Sequence, residues 1–197
     1  PGMRRRRTRL GRRWSRLGRG VRVRLDSRRN AADASMEREH GGPEGRDGVD
    51  EDSVRQEAVL AVAPPRAWEL VTRPEHLRVW YAFDGAALDA RVGGLIEYRW
   101  REHGRFLGVV EALEPPTLLR YRLSTLPERD PAPGRRTTVA VRLQAWNPTS
   151  TLVRVVESGL ASLAVDAEER RQYRSAAAMA WAGGLELLVE LAARGEA

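Results

Sequence analysis

From Ser53 onward the chain alternates between apolar and polar positions. In "SVRQEAVLAV", Gln56, Ala58, Leu60 and Val62 fall on one side and Arg55, Glu57, Val59 and Ala61 on the other, which predicts a half-buried strand. "PPRAWELVTR" opens with prolines suited to a helix start and sets Trp68 and Val71 on one face. Pro74 interrupts that helix and begins a second short one, "PEHLRVWY", with Leu77 and Trp80 together. Strands follow. Asp84 to Val92 reads as a weak strand ended by Gly93-Gly94. In "LIEYRWREH", Ile96, Tyr98 and Trp100 oppose Glu97, Arg99 and Arg101. "RFLGVVEALE" is apolar on both faces, so its inward side is ambiguous, and Pro115-Pro116 ends it. "LLRYRLS" sets Leu119, Tyr121 and Leu123 against Arg120 and Arg122. After a Pro/Gly/Arg loop, "TTVAVRLQAW" sets Val139, Val141 and Leu143 against Arg142 and Gln144. Beyond Asn147-Pro148, "TLVRVVESG" places Thr151, Val153, Val155 and Glu157 on one side.

Because successive strands alternate in the same sense, they predict an antiparallel sheet with one buried and one solvated face. The solvated face carries Arg99, Arg101, Arg120, Arg122, Arg142 and Arg154, with Glu97 and Glu111 interleaved. A long helix closes the chain, roughly Ala167 to Arg194. Tyr173, Ala177, Trp181, Gly184, Leu188 and Leu191 form its apolar stripe, and acidic residues at its start suit the helix dipole. Gly183-Gly184 in its interior costs up to about 2 kcal/mol against alanine. A bend, or a close backbone approach to the sheet, would account for the pair.

Composition divides the chain. Residues 1–29 hold 13 Arg against one acidic residue, whereas the part from Ser53 has 19 Arg against 18 acidic residues, so the formal charge of +7 belongs to the head. Residues 1–52, basic and then polar and acidic, have the composition of a disordered leader, and 53–197 that of a folded domain. Met36 is a candidate start, which would put 1–35 outside the native protein. The Arg block would give at most weak, non-specific phosphate binding, and nucleic acid is otherwise not an expected partner. All basic residues are Arg and none Lys, a bias that points to a GC-rich genome more than to guanidinium chemistry.

Several chemistries are excluded. Without Cys there is no disulfide, thiolate nucleophile or Cys-based zinc site. His40, His76 and His103 are scattered, giving neither a metal cluster nor a triad. No G-x-S-x-G occurs, "ESGLAS" being only superficially similar; a P-loop would need lysine, and no dinucleotide fingerprint follows a strand. No cofactor or metal is expected. No membrane-length apolar run or secretory signal is evident, so the expectation is a cytoplasmic protein without membrane insertion. The oligomeric state is not readable.

The order of elements (strand, two short helices, about six strands, closing helix) is that of the helix-grip fold. "PPRAWELVTRPEHLRVWY", "ARVGGLIEYRW", "GVVEALEPPTLLRYRL" and "TTVAVRLQAWNPTSTLVRVVESGL" resemble successive segments of the family named for the activator of the 90-kDa heat-shock-protein ATPase. That family belongs to the START, polyketide-cyclase and birch-pollen-allergen superfamily (SRPBCC). Trp181 matches an aromatic of the family's closing helix, with Ala180 in place of the usual preceding glycine. The resemblance covers about 53–194 and implies an α+β domain: a curved antiparallel sheet wrapped around the C-terminal helix, with room for a cavity between them. The fold hosts carriers, cyclases, hydrolases and co-chaperone modules, so it does not select among them.

Such an architecture gives the aromatics of residues 78–100 a destination. Tyr98, Trp100, Tyr121, Leu123, Val141, Val153 and Glu157 would face inward, with Trp80 and Phe83 near the mouth; these nine are the candidate ligand-binding residues. Apolar walls with a few polar groups suit a small apolar or aromatic ligand. Trp68 and Trp181 read as core. Glu157 is the weak catalytic candidate: it could pair with Arg or a tyrosine hydroxyl, stay protonated, meet a ligand's polar group, or simply reach water at the strand end. The leading expectation is a non-enzymatic ligand-binding protein. The alternatives are a cyclase- or hydrolase-type enzyme using Glu157 with Tyr98 or Tyr121, and a co-chaperone-like protein-binding module.

Overall fold

A computed structural model describes residues 51–195. The expectation for the leader falls almost entirely outside these residues. Its last position is tied to the domain: the Asp52 carbonyl accepts from the amides of Gly159 and Leu160, and its carboxylate accepts from the Ala161 amide.

Strand β1 (Ser53–Leu60) leads into α1 (Pro64–Thr72) and α2 (Pro74–Trp80), each with a proline in its first turn. Five strands then run as a meander, β2 (Gly85–Leu88), β3 (Leu95–Trp100), β4 (Gly104–Glu114), β5 (Leu118–Ser124) and β6 (Arg136–Asn147), and β7 (Ser150–Ser158) continues it. All neighbours are antiparallel, in the order β1-β7-β6-β5-β4-β3-β2. The two short helices therefore carry the chain from one edge of the sheet to the other. A single 3₁₀ turn (Leu160–Ser162) precedes α3 (Ala167–Ala193), whose N-cap Asp166 accepts from the Glu169 amide.

The weak strand expected from Asp84 to Val92 is shorter, because Asp89–Gly94 is spent on the turn into β3. There Gly94 is forced by space: a Cβ would lie 2.1 Å from the Asp89 carbonyl oxygen. Strand β4, whose sides the sequence left undecided, buries Phe106 and Val110 and turns Leu107 and Val109 outward.

The inward face is as the alternation predicted. Tyr98, Trp100, Tyr121, Leu123, Val141, Val153 and Glu157 are all buried. On the opposite face every arginine named above except Arg142 has a carboxylate within 3.6 Å, Glu97 and Glu111 among them. This face is a lattice of exposed ion pairs, each worth at most about 1 kcal/mol.

Helix α3 packs on β1 and α2 and buries Ala177, Trp181, Gly184, Leu185, Leu188 and Ala192. By length and composition it could cross a membrane, although Glu186 and Glu190 interrupt its apolar sequence; here it is the core helix of the fold. The glycine pair also differs from expectation. Gly184 makes a close approach to α2 rather than to the sheet: a Cβ there would sit 3.1 Å from the Tyr81 ring and 3.4 Å from Trp80. Gly183 faces open space.

Candidate functional site

The register places a carboxylate in an apolar row. Val110, Tyr121, Val139, Glu157 and Val54 are cross-strand partners in sequence across β4, β5, β6, β7 and β1. Glu157 is 2 % exposed, and an isolated carboxylate there would be costly. It is fully engaged. Oε1 accepts from the Thr137 hydroxyl at 2.7 Å and from the Tyr173 hydroxyl at 2.6 Å, and Oε2 accepts from the Trp181 indole N–H at 2.7 Å. Of the outcomes the sequence left open, pairing with a tyrosine hydroxyl is therefore present, and that tyrosine comes from α3. Three neutral donors, two of them on α3, tie the helix to the sheet at this carboxylate.

Rings fill the space beside it. Tyr81 stacks on Trp181, centroids 4.2 Å apart and planes 8° apart, and meets Tyr98 and Trp100 edge-on at 5.1 and 5.3 Å. Trp100 in turn meets Phe106 at 5.6 Å. The indole N–H groups are satisfied: Trp100 donates to the Tyr81 carbonyl and Trp80 to the Leu70 carbonyl. The Tyr98 hydroxyl donates to the Tyr121 oxygen at 2.9 Å. Burial, above all, pushes all four tyrosine phenols above their ordinary range; for Tyr81 and Tyr173 the nearby Glu157 carboxylate adds to the effect.

Between these rings and α3 lies a space of about 20 Å³, room for about one water. Its walls are Tyr81, Trp100, Phe106 and Leu123, its polar groups Ser124, Glu157 and Tyr173, and its roof the short side chains of Ala176, Ala177 and Ala180.

Of the nine candidate residues, Trp100, Leu123 and Glu157 line this space, while Tyr98 and Tyr121 lie behind Tyr81 in the ring cluster. Val141 and Val153 are plain core, Trp80 packs against Gly184, and Phe83 is 47 % exposed. Sequence reasoning missed Tyr81, Phe106 and Tyr173 as site residues. Tyr173 was legible as part of the helix stripe, but only the fold brings it opposite Glu157. Trp68 is half-buried against the core rather than within it. Among the described residues no cluster of His, Asp and Glu could hold a metal.

A helix-grip domain with a ring-lined interior and a hydrogen-bonded carboxylate at its inner end is the class these features define. The chain belongs to the family described as "Activator of Hsp90 ATPase homolog 1-like protein", which matches residues 61–192. Its family and its fold place it in the helix-grip SRPBCC superfamily. Among solved structures it is similar to protein MLL2253 from Mesorhizobium loti (26 % identity, TM-score 0.60, 74 % of this chain and 99 % of that one). It shares its fold with an Aha1 dimer from Colwellia psychrerythraea (18 %, 0.57, 74 % and 98 %). CalU16 from Micromonospora echinospora has the same fold (18 %, 0.55, 74 % and 76 %). No curated protein matches the chain.

Proposed function

We propose that the domain binds a small apolar or aromatic molecule between the sheet and the first half of α3, at Tyr81, Trp100, Phe106 and Leu123, with Glu157 and Tyr173 at the polar end. The observation that carries this reading is the roof. Where α3 crosses the aromatic walls it presents Ala176, Ala177 and Ala180, whereas farther along it presents Trp181, Leu185 and Leu188. Small side chains over rings leave a seam that a modest outward movement of the helix would widen. Pockets for small organic molecules usually measure about 300 Å³ or more, so binding here requires α3 to move outward from the present packing.

The family and the fold support ligand binding without selecting the ligand. The acid–base reading stands behind it for a geometrical reason. The Glu157 oxygens already accept from three donors, and Tyr98 and Tyr121 bond to each other rather than to Glu157. Proton transfer among them would first require that arrangement to break.

Mass spectrometry of the purified protein under native and denaturing conditions tests the proposal. A small-molecule excess retained in the native spectrum and lost on denaturation is expected. A native mass equal to the bare chain, with no saturable response to added naphthol, would contradict it.

A further inference from the structure

Strand β4 is apolar on both faces, and the interior uses only one of them. Its outward residue Val109 lies opposite Leu95 of β3, which is 67 % exposed, and Leu107 lies opposite Glu97, beyond which is Ala87 of β2. The rest of this face is a lattice of arginine and glutamate pairs, so an apolar floor here is a local departure from the pattern. The loop between β5 and β6 rises beside it, and Asp130 and Pro131 complete a cavity of about 450 Å³ on the side of the sheet away from α3. Its size is in the ordinary range for small-molecule sites.

The charges around it differ in their commitments. Glu97 is held by Arg99 at 2.7 Å and by Arg105 at 3.6 Å, and Arg122 is held by Glu111 at 2.9 Å. Asp130 lines the same cavity, and no ion pair joins its carboxylate to another described residue; only its backbone carbonyl is engaged, by Arg135. Among the residues that line the cavity, Asp130 thus carries the one charge that no ion pair engages.

We infer that this outer cavity is a second binding site, for an apolar or aromatic molecule carrying an ammonium group. The apolar body lies on Leu95, Leu107 and Val109 beneath Pro131, and the cation lies against Asp130. The site is separate from the interior and stands whether or not the interior binds anything.

The test is a methyl and amide NMR titration of the protein with naphthylmethylamine, and in parallel with neutral naphthylmethanol. Saturable shifts at Leu95, Leu107 and Val109 are expected, with the amine the tighter probe by about threefold, the gain of one exposed charge contact. Asp130→Asn should remove that preference while leaving the alcohol's affinity unchanged. Val109→Glu, on the outward face, should abolish the shifts of the alcohol and leave the amide spectrum of the core intact. Shifts confined to residues around Tyr81 and Ala177, equal affinity for the two probes in the unmodified protein, or concentration-dependent self-association through Leu95 without probe binding would each overturn the inference.

Discussion

The indole N–H of Trp181 donates to Glu157 at 2.7 Å while the same indole stacks on Tyr81 at 4.2 Å, so one side chain of α3 joins the buried carboxylate to the aromatic cluster. The helix is held to the sheet polar on one side and apolar on the other. Removing either attachment has a predictable effect.

Glu157→Gln keeps the shape and loses the charge. One of its two oxygens becomes an NH₂ group facing a donor, so at least one of Thr137, Tyr173 and Trp181 loses its acceptor. Hydrogen bonds to a charged group are worth about 1.5–3 kcal/mol, so a loss of about 2 kcal/mol is expected in urea unfolding, with the m-value unchanged.

The glycine pair separates space from propensity. Gly183→Ala adds a methyl where nothing lies within 4 Å and should stabilise by about 1 kcal/mol. Gly184→Ala brings the same propensity gain but presses on a Tyr81 ring already fixed by Trp181 and Tyr98, and overpacking costs about 1–3 kcal/mol. Thermal unfolding should rank Gly183→Ala above the parent and Gly184→Ala below it.

How much of this was legible follows from which interactions are local. The alternation in β3, β5, β6 and β7 placed Tyr98, Tyr121, Val153 and Glu157 inward, because a strand's period of two depends on the strand alone. Phe106 was not legible, since β4 is apolar on both sides and only its pairing with β3 and β5 settles the matter. Tyr173 and Tyr81 escaped for another reason. Their roles depend on where α3 crosses the sheet, a contact between segments far apart in the chain. The glycine pair left a bend or a close approach to the sheet open, and the actual neighbours of Gly184, Trp80 and Tyr81, could not be read from α3's own sequence.

Tyr98 and Tyr121 form a buried hydroxyl pair, so their removal should be non-additive. Tyr98→Phe leaves the Tyr121 hydroxyl buried without its partner and should cost about 1–2 kcal/mol, whereas adding Tyr121→Phe should cost little more. A double-mutant cycle in urea measures the coupling.

The four tyrosines also set the alkaline limit of the fold. Each phenol has a folded-state pKa raised above its ordinary value near 10, so the folded state holds these protons more tightly than the unfolded chain. Their stabilisation is complete below about pH 10 and is lost as pH rises through the folded values, at up to about 1.4 kcal/mol per pH unit for each phenol. Near-ultraviolet absorbance should show no tyrosinate in the native protein as it passes pH 10, followed by ionisation in one step with unfolding. Four independent titrations near pH 10 with the fold intact would contradict this.

The most direct test of the interior as a binding site is the pair of indole N–H resonances of Trp100 and Trp181 during titration with naphthol, in the parent and in Ala180→Leu. Ala180 roofs the space and is only half-buried, so leucine there fills the seam without disturbing the core. Saturable shifts of both resonances in the parent, abolished in Ala180→Leu while its thermal stability is retained, are predicted. Unmoved resonances in the parent, or equal shifts in both proteins, would contradict a ligand seated between the rings and α3.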